Sequence, residues 1–307
     1  MQPLINYLKQ PASFVDSIVH NYFKWLPDST YLKLRYRFQM QERLDLENPQ
    51  SFQEKLQWLK LYNRIPEYPR MVDKILVKEY VSSIIGSEFV VPLLGVWDRP
   101  EDIEWGELPE RFVLKTNHGG GNTGVVICRG KNTLDIANTI ARLNSSLKMD
   151  IYRDTREWPY KNVKKKVFAE ELIELNQQVK DLPDYKWYCF NGEPKYCQVI
   201  QDRNTNETID FFDTTWKHQE FIGLNPAAKH ASIIPVRPKN LEKQVQIAKR
   251  LSKDIPFARI DLYEIEGHVY FGEITFFPMS GFGKFFPNKY NEIFGNILVL
   301  PEKHGAK

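Results

Sequence analysis

Cysteine is scarce in this chain, at three in 307 residues. Cys128, Cys189 and Cys197 are odd in number, lack C-x-x-C spacing and fall within strand-like segments. They argue against a disulfide framework and for reduced core thiols in the cytosol. No His/Cys cluster shows ligand spacing, which argues against a zinc site. No segment reaches the roughly 20 apolar residues that span a bilayer. Lys9, Pro11 and Asp16 interrupt the N-terminal stretch, so it does not read as a signal peptide. The formal net charge is only +3, far from that of a nucleic-acid-binding surface, and any anion site has to be local. There is no internal repeat, low-complexity linker, P-loop motif or D-x-D motif. The hydrophobic content of 42% is enough for one large domain or two lobes.

Residues 1–72 read as helical. The N-terminal "PLINYLKQPASFVDSIVHNYFKWLP" predicts an amphipathic helix packed on the protein, with contact to a membrane surface as the open alternative. In "NPQSFQEKLQWLKLYNR", Ser51 and Glu54 form an S-x-x-E cap, and Phe52, Leu56, Leu59 and Tyr62 recur at helical spacing. "DKILVKEYVSSIIG" predicts a second helix stopped by Gly86. Beyond it, "FVVPLLGVW", "RFVLKTN" and "VVICRG" read as short strands, with "HGGGNTG" as a loop. "NTLDIANTIARLNSSL" predicts a helix with Leu134, Ile136, Ile140 and Leu143 as its stripe. "KKKVFAEELIEL" reads as a strand running into a connection. "DYKWYCFNGEPKYCQVIQDR" predicts a hairpin turning at Asn191-Gly192. "NLEKQVQIAKRLSKDI" predicts a helix, and "FARIDLYEIEGHVYFGEIT" a closing hairpin. The fold class expected is α+β in two lobes.

Two carboxylates in that last hairpin, Asp261 and Glu273, sit among apolar residues. A three-residue loop at Glu266 to His268 would set them opposite each other, where they would repel without a cation. Arg259, on the same face as Asp261, could neutralise one; Mg²⁺ could be held by both. A salt-bridged surface hairpin is the plainer reading. Lys115 ends a strand before glycines 119, 120, 121 and 124, a loop whose N–H groups can approach phosphate oxygens. A glycine-rich turn without a ligand is its plainer reading. The cluster Lys161, Lys164, Lys165 and Lys166 reads either as an anion-attracting patch or as a solvated strand entry. His118 is a candidate base with no partner identifiable from sequence.

Taken in order, "SFQEKLQWLKLYNR", "VDKILVKEYV", "VVPLLGVWD", "RFVLKTNHGGG", "REWPYKN", "DYKWYCFNGEPKY", "FARIDLY" and "YFGEITFFPMSGFGKFFP" resemble the ATP-grasp superfamily, in its TupA-like branch. The resemblance spans roughly residues 51–288. It implies two α+β lobes clasping ATP behind a helical N-terminal region. The divisions are 1–72 for that region, 73–169 for a lobe with the glycine-rich loop, and 170–307 for a lobe with the metal site. It implies ATP binding by Lys74, Lys115, Gly119, Gly120, Gly121, Glu170, Leu172, Ile173 and Asp184. Glu170 would meet the adenine amino group and Asp184 the ribose, with Glu174 as the other ribose candidate. It places Mg²⁺ at Asp261, Glu273 and Thr275, and Arg259 at the γ-phosphate and reacting carboxylate. Relatives carry E-x-N where this chain has Glu273-Ile274-Thr275, a weaker donor at the third position.

The activity implied is that of an ATP-dependent carboxylate–amine ligase acting through an acyl phosphate in bacterial capsular or cell-wall polysaccharide biosynthesis. A uronic acid or amino acid would supply the carboxylate, and an amino acid or amino sugar the amine. Ser280, Gly281 and Lys284 in "PMSGFGKFFP" are candidate carboxylate binders, and Lys186 and Arg203 are expected to face the cleft. A cytoplasmic protein with no nucleic-acid partner is expected. A glycosyltransferase, a kinase and a non-catalytic ATP-binding module are the rival readings.

Overall fold

The computed structural model describes residues 11–119, 123–173, 184–201, 207–225 and 228–303. Two helices, α1 (Pro11–Tyr22) and α2 (Asp28–Gln39), lie against each other. Arg35 of α2 forms an ion pair with Asp16 of α1. Next comes α3 (Phe52–Tyr62), with the expected reciprocal cap: Glu54 N–H donates to Ser51 Oγ, and Ser51 N–H donates to the Glu54 carboxylate. Phe52, Leu56 and Leu59 are buried along one face. After α4 (Tyr68–Val72), helix α5 (Leu76–Ile85) ends at Gly86, whose φ of +113° favours glycine.

The first sheet is antiparallel, built of β1 (Leu93–Trp97), β2 (Phe112–Thr116), β3 (Val125–Cys128) and β4 (Val167–Glu171) in the order β1-β4-β2-β3. Helix α6 (Ile136–Leu147) packs on β2. Its buried face is Thr139, Leu143 and Ser146, whereas Ile136 is 43% exposed. The apolar stripe read from the sequence is displaced because Asp135 caps the helix and puts Ile136 in its first turn, turned to solvent. A short helix, α7 (Ile151–Thr155), follows.

The second sheet contains β5 (Asp184–Phe190), β6 (Glu193–Gln201), β7 (Thr208–Asp213), β9 (Phe257–Ile265) and β10 (His268–Thr275), ordered β10-β9-β5-β6-β7. The turn between β5 and β6 falls at Asn191-Gly192, both with positive φ. A small ribbon pairs β8 (Ile222–Gly223) with β11 (Phe285–Phe286). Helix α8 (Leu241–Leu251) covers one face of the sheet, where Trp187 Nε1 donates to Gln244 Oε1 at 3.1 Å. Register settles the faces: Asp261 pairs with Lys186, and Lys186 with Gln198. The neighbouring residues Leu262, Tyr185, Val199 and Asp210 pair in turn on the other face.

There are two cores. One lies under the four-stranded sheet and includes Phe112, Leu114, Leu143 and Val167. The other joins α2 to α5 with the five-stranded sheet and with the C-terminal helix α9 (Lys289–Ile297). Phe52 of α3 meets Phe257 edge-on at 4.9 Å, and Phe285 meets Phe294 at 4.5 Å. Helices α2 to α5 are thus built into the second core.

Candidate functional site

A cavity of about 240 Å³ opens between the two sheets. From the first side it is lined by Lys74, Lys78, Lys115, Phe168 and Glu170, and from the second by Asp184, Lys186, Asp261, Tyr263, Phe271, Gly272 and Glu273. Four lysines therefore face four carboxylates, and how they pair defines the site.

The closing hairpin places Asp261 opposite Glu273, as expected, but by a different route. Its turn has two residues, Glu266 and Gly267, both with positive φ, and the register slips by one at Gly272. The extra residue is a β-bulge. Arg259 fills the space between the acids. Its Nε and Nη2 donate to the two Asp261 oxygens at 2.6 and 2.7 Å, and Nη2 also reaches Glu273 Oε1 and Thr275 Oγ1 at 3.1 Å each. Lys186 Nζ sits between Asp184 Oδ2, at 2.8 Å, and Asp261 Oδ2. Asp261 is 1% exposed. Burial pushes its pKa up, against the pull of Arg259 and Lys186. Burial also works on Glu273, but Lys74, Arg259 and Lys186 outweigh it and hold that carboxyl down at about 2. The Arg259 guanidinium is raised above its ordinary value: burial opposes this, and Asp261 overcomes it.

On the other side, Lys78 Nζ donates to Glu170 Oε2 at 2.7 Å, and Lys115 Nζ holds Glu170 Oε1. Burial alone would raise the Glu170 pKa, but the two lysines bring it below the ordinary value. Glu170 lines the cleft, yet its carboxylate is engaged by lysines rather than presented alone to a ligand. Lys115 reaches it diagonally across the β2–β4 pairing, in which Val113 is the direct partner of Glu170. Lys74 Nζ donates to Gly119 O, and Lys74 N donates to Asn117 O at 2.8 Å. Asn117 Nδ2 donates to Asp73 Oδ2 at 2.7 Å, which ties the loop to the start of α5. Gly119, with φ +80°, lines a smaller neighbouring pocket with Lys74, Lys115 and His118. Burial, with Lys165 and Lys74 nearby, pushes the His118 pKa down to about 4, so its ring is neutral near pH 7.

Of the residues expected at the site, the cleft gathers Lys74, Lys115, Glu170, Asp184, Lys186, Asp261 and Glu273, with Arg259 and Thr275 hydrogen-bonded into the same group. Gly120, Gly121, Glu174 and Arg203 lie outside the described residues. Leu172 and Ile173 are half-buried just after β4 and are not part of the lining. Two of the candidate carboxylate binders are engaged within the fold. Lys284 donates to Met40 O at 2.8 Å and to Glu42 at 3.1 Å, so it anchors the N-terminal segment. Ser280, at φ +52°, bonds Lys60 Nζ of α3 through both its carbonyl and its hydroxyl, at 2.8 and 3.0 Å. Both contacts follow from the packing of α2 and α3 on this loop, which local sequence does not reveal. In the basic cluster, Lys164 and Lys166 pair with Asp98, and Lys165 donates to the carbonyls of Leu147 and Met149. Lys78, in the first turn of α5, also lines the cleft, and no motif in the sequence marks it.

Asp261, Glu273 and Thr275 form an all-oxygen donor set suited to a hard divalent cation. Glu273 is ionised, its side chain is 34% exposed, and its Oε2 lies 3.9 Å from Lys74 on the cleft side. The residues present thus fit Mg²⁺, which would share Asp261 with Arg259 and Lys186. No helix is long and apolar enough to cross a membrane among the described residues.

Residues 54–299 match the family described as TupA-like ATPgrasp. Among curated proteins none matches significantly. Similar solved structures include the D-alanine–D-alanine ligase of Bacillus anthracis, at 19% identity and a TM-score of 0.39, covering 67% of this chain and 56% of that one. The enzyme of the same name from Helicobacter pylori is 14% identical with a TM-score of 0.43, covering 81% and 69%. The ATP-grasp ligase PsnB, complexed with minimal precursor, Mg and ADP, is 14% identical with a TM-score of 0.36, covering 86% and 66%. The chain thus spans just over half the length of the Bacillus anthracis ligase.

Proposed function

Because the chain belongs to the TupA-like ATP-grasp family, we propose that it is an ATP-dependent carboxylate–amine ligase that forms an amide through an acyl phosphate. The observation that carries this reading is the convergence of Lys74, Lys186 and Arg259 on Asp261 and Glu273 at one end of a cleft between two antiparallel sheets. Phosphoryl transfer chiefly requires positioning and neutralisation of charge. Lys74 and Lys115 would bind phosphate oxygens, and the backbone N–H groups of the glycine loop would assist. Asp184 would hold the ribose. Asp261 and Glu273 would hold Mg²⁺, which neutralises the β- and γ-phosphates when bound.

In the first step a carboxylate oxygen attacks the γ-phosphorus and the bond to the β-bridging oxygen breaks, releasing ADP. The amine nitrogen then attacks the acyl carbon, phosphate leaves, and the nitrogen loses a proton. Arg259 is suited to orient the carboxylate because its own two acids fix it in place. The substrates proposed are a uronic acid or amino acid as the carboxylate and an amino acid or amino sugar as the amine. Incubation with ATP, Mg²⁺ and mixed acids and amines tests this reading: sustained turnover to ADP and phosphate is expected only when both the carboxylate and the amine are present. UDP release from sugar nucleotides, with no ADP formed, would replace it with a glycosyltransferase.

A further inference from the structure

On the face of the five-stranded sheet opposite the nucleotide cleft, three side chains meet that the proposed reaction does not use. Asp210 projects from β7, the edge strand, and is 0% exposed. Its Oδ1 lies 2.7 Å from His218 Nε2 and 2.9 Å from His230 Nδ1. The backbone N–H of Ala231 donates to Oδ2 at 3.1 Å, which leaves Oδ1 to the two imidazoles. The histidines come from different loops, and each is anchored. Asp213 accepts from Thr215 N and Lys217 N, closing a tight turn that brings His218 back to bridge with Phe212. Trp216, at positive φ, stacks on Phe212 at 4.2 Å and donates to Pro235 O. Lys229 bridges to Thr208 and sets His230 beside the strand.

We infer that Asp210, His218 and His230 form a three-ligand site for a zinc-type divalent metal, which clamps β7 to the two loops that follow it. The three ligand atoms lie within 4.8 Å of one another. Around a tetrahedral ion with bonds near 2.1 Å, ligand atoms stand about 3.4 Å apart, so each imidazole has to draw back from Oδ1 by roughly half an ångström or a little more to admit the ion. Two imidazoles and one carboxylate select Zn²⁺ or Co²⁺ over Mg²⁺, which prefers oxygen alone. A fully buried carboxylate also calls for a counter-charge, and the ion supplies it. Both imidazole side chains are about 30% exposed, at 29% and 31%, so the fourth position opens to solvent. Spacing along the chain hid the cluster: the ligands stand eight and twelve residues apart on a strand and two loops, unlike the short repeats of zinc motifs. The site is three strand positions from Asp261, roughly 14 Å at the usual inter-strand spacing, and on the other face, so it is independent of the Mg²⁺ reading.

The test uses untagged protein stripped with EDTA and titrated with Co²⁺ in excess Mg²⁺. A visible absorption band saturating at one Co²⁺ per chain is expected, without the intense charge-transfer band of thiolate ligation, since the cysteines are buried. Zn²⁺ is expected to displace the Co²⁺ and to raise the melting temperature. His218→Ala and His230→Ala are each expected to weaken binding by about tenfold or more, while Mg·ADP binding stays as in the wild type. Absence of saturable Co²⁺ or Zn²⁺ uptake by the wild-type chain would overturn the site whatever the variants do. Wild-type affinity in the folded double variant, with folding confirmed by circular dichroism, would do the same and leave a hydrogen-bonded His–Asp–His group.

Discussion

Asp261 and Glu273 differ in a way that guides experiment. Asp261 is buried between Arg259 and Lys186, and removing its charge would take one of two acid partners from each cation. Glu273 is partly open to the cleft, so it is the cleaner probe. In Glu273→Gln, turnover should fall by about 10²-fold through lost electrostatic stabilisation. Near-wild-type ADP release would remove Glu273 from the metal site. Its pH signature has a definite sign. The folded carboxyl sits at about 2 against an ordinary 4.5, so its ionised form stabilises the fold above pH 4.5. That contribution is lost as pH falls through about 2. Acid unfolding of Glu273→Gln should therefore be flatter than wild type between these values; identical curves would show the pairing to be energetically silent. The opposed pair was anticipated through the wrong turn: the two-residue turn alone would set Asp261 against Gly272, and the bulge brings Glu273 into that place. The engagement of Glu170 by Lys78 and Lys115 was not legible, because it joins a helix, an edge of the cleft and a strand far apart in sequence.

The closing hairpin shows how a local signal can be present and still be missed. Glycine inside a strand marks a bulge or a close approach, and Gly272 is both. A Cβ there would stand 2.8 Å from the Tyr263 ring and 3.0 Å from Asp261 O. The ring can turn, but the backbone oxygen cannot move without displacing the strand that carries Asp261. Gly272→Ala should cost about 1–3 kcal/mol in urea unfolding and weaken Mg·ADP binding by calorimetry. Unchanged affinity would mean that the bulge does not set the spacing of the two acids. The cap of α3 was fully readable, since both partners lie within four residues. Ser51→Ala should cost about 1 kcal/mol without altering nucleotide affinity, because α3 supports the core rather than the cleft. A loss of affinity in that variant would instead tie α3 to the site through Lys60 and the Ser280 loop.

The helices between residues 11 and 72 have a local signature in the sequence, but where they pack does not. Burial partners are decided by which apolar surface remains uncovered once the sheets have formed, and here that is the face carrying Phe190 and Phe257. The result is one core shared by α2 to α5 and the five-stranded sheet, and a smaller one under the four-stranded sheet. The cleft residues are drawn from both sides of that division. Without nucleotide, amide exchange in β2 and β4 should follow a local opening of the smaller unit, while α3 and β9 exchange together and more slowly. A ligand held from both sides should couple them. At a hundred times its dissociation constant, Mg·ADP contributes about 2.7 kcal/mol, enough to raise the melting temperature by several degrees. It should slow exchange in β2, β4 and β9 alike. In Lys115→Ala, which removes a cation from the smaller side only, the thermal shift at the same ADP concentration should shrink, and protection of β2 and β4 should be lost before that of β9. Saturating Mg·ADP that leaves both melting and exchange unmoved in the wild-type chain would show that the cleft is not where the nucleotide binds.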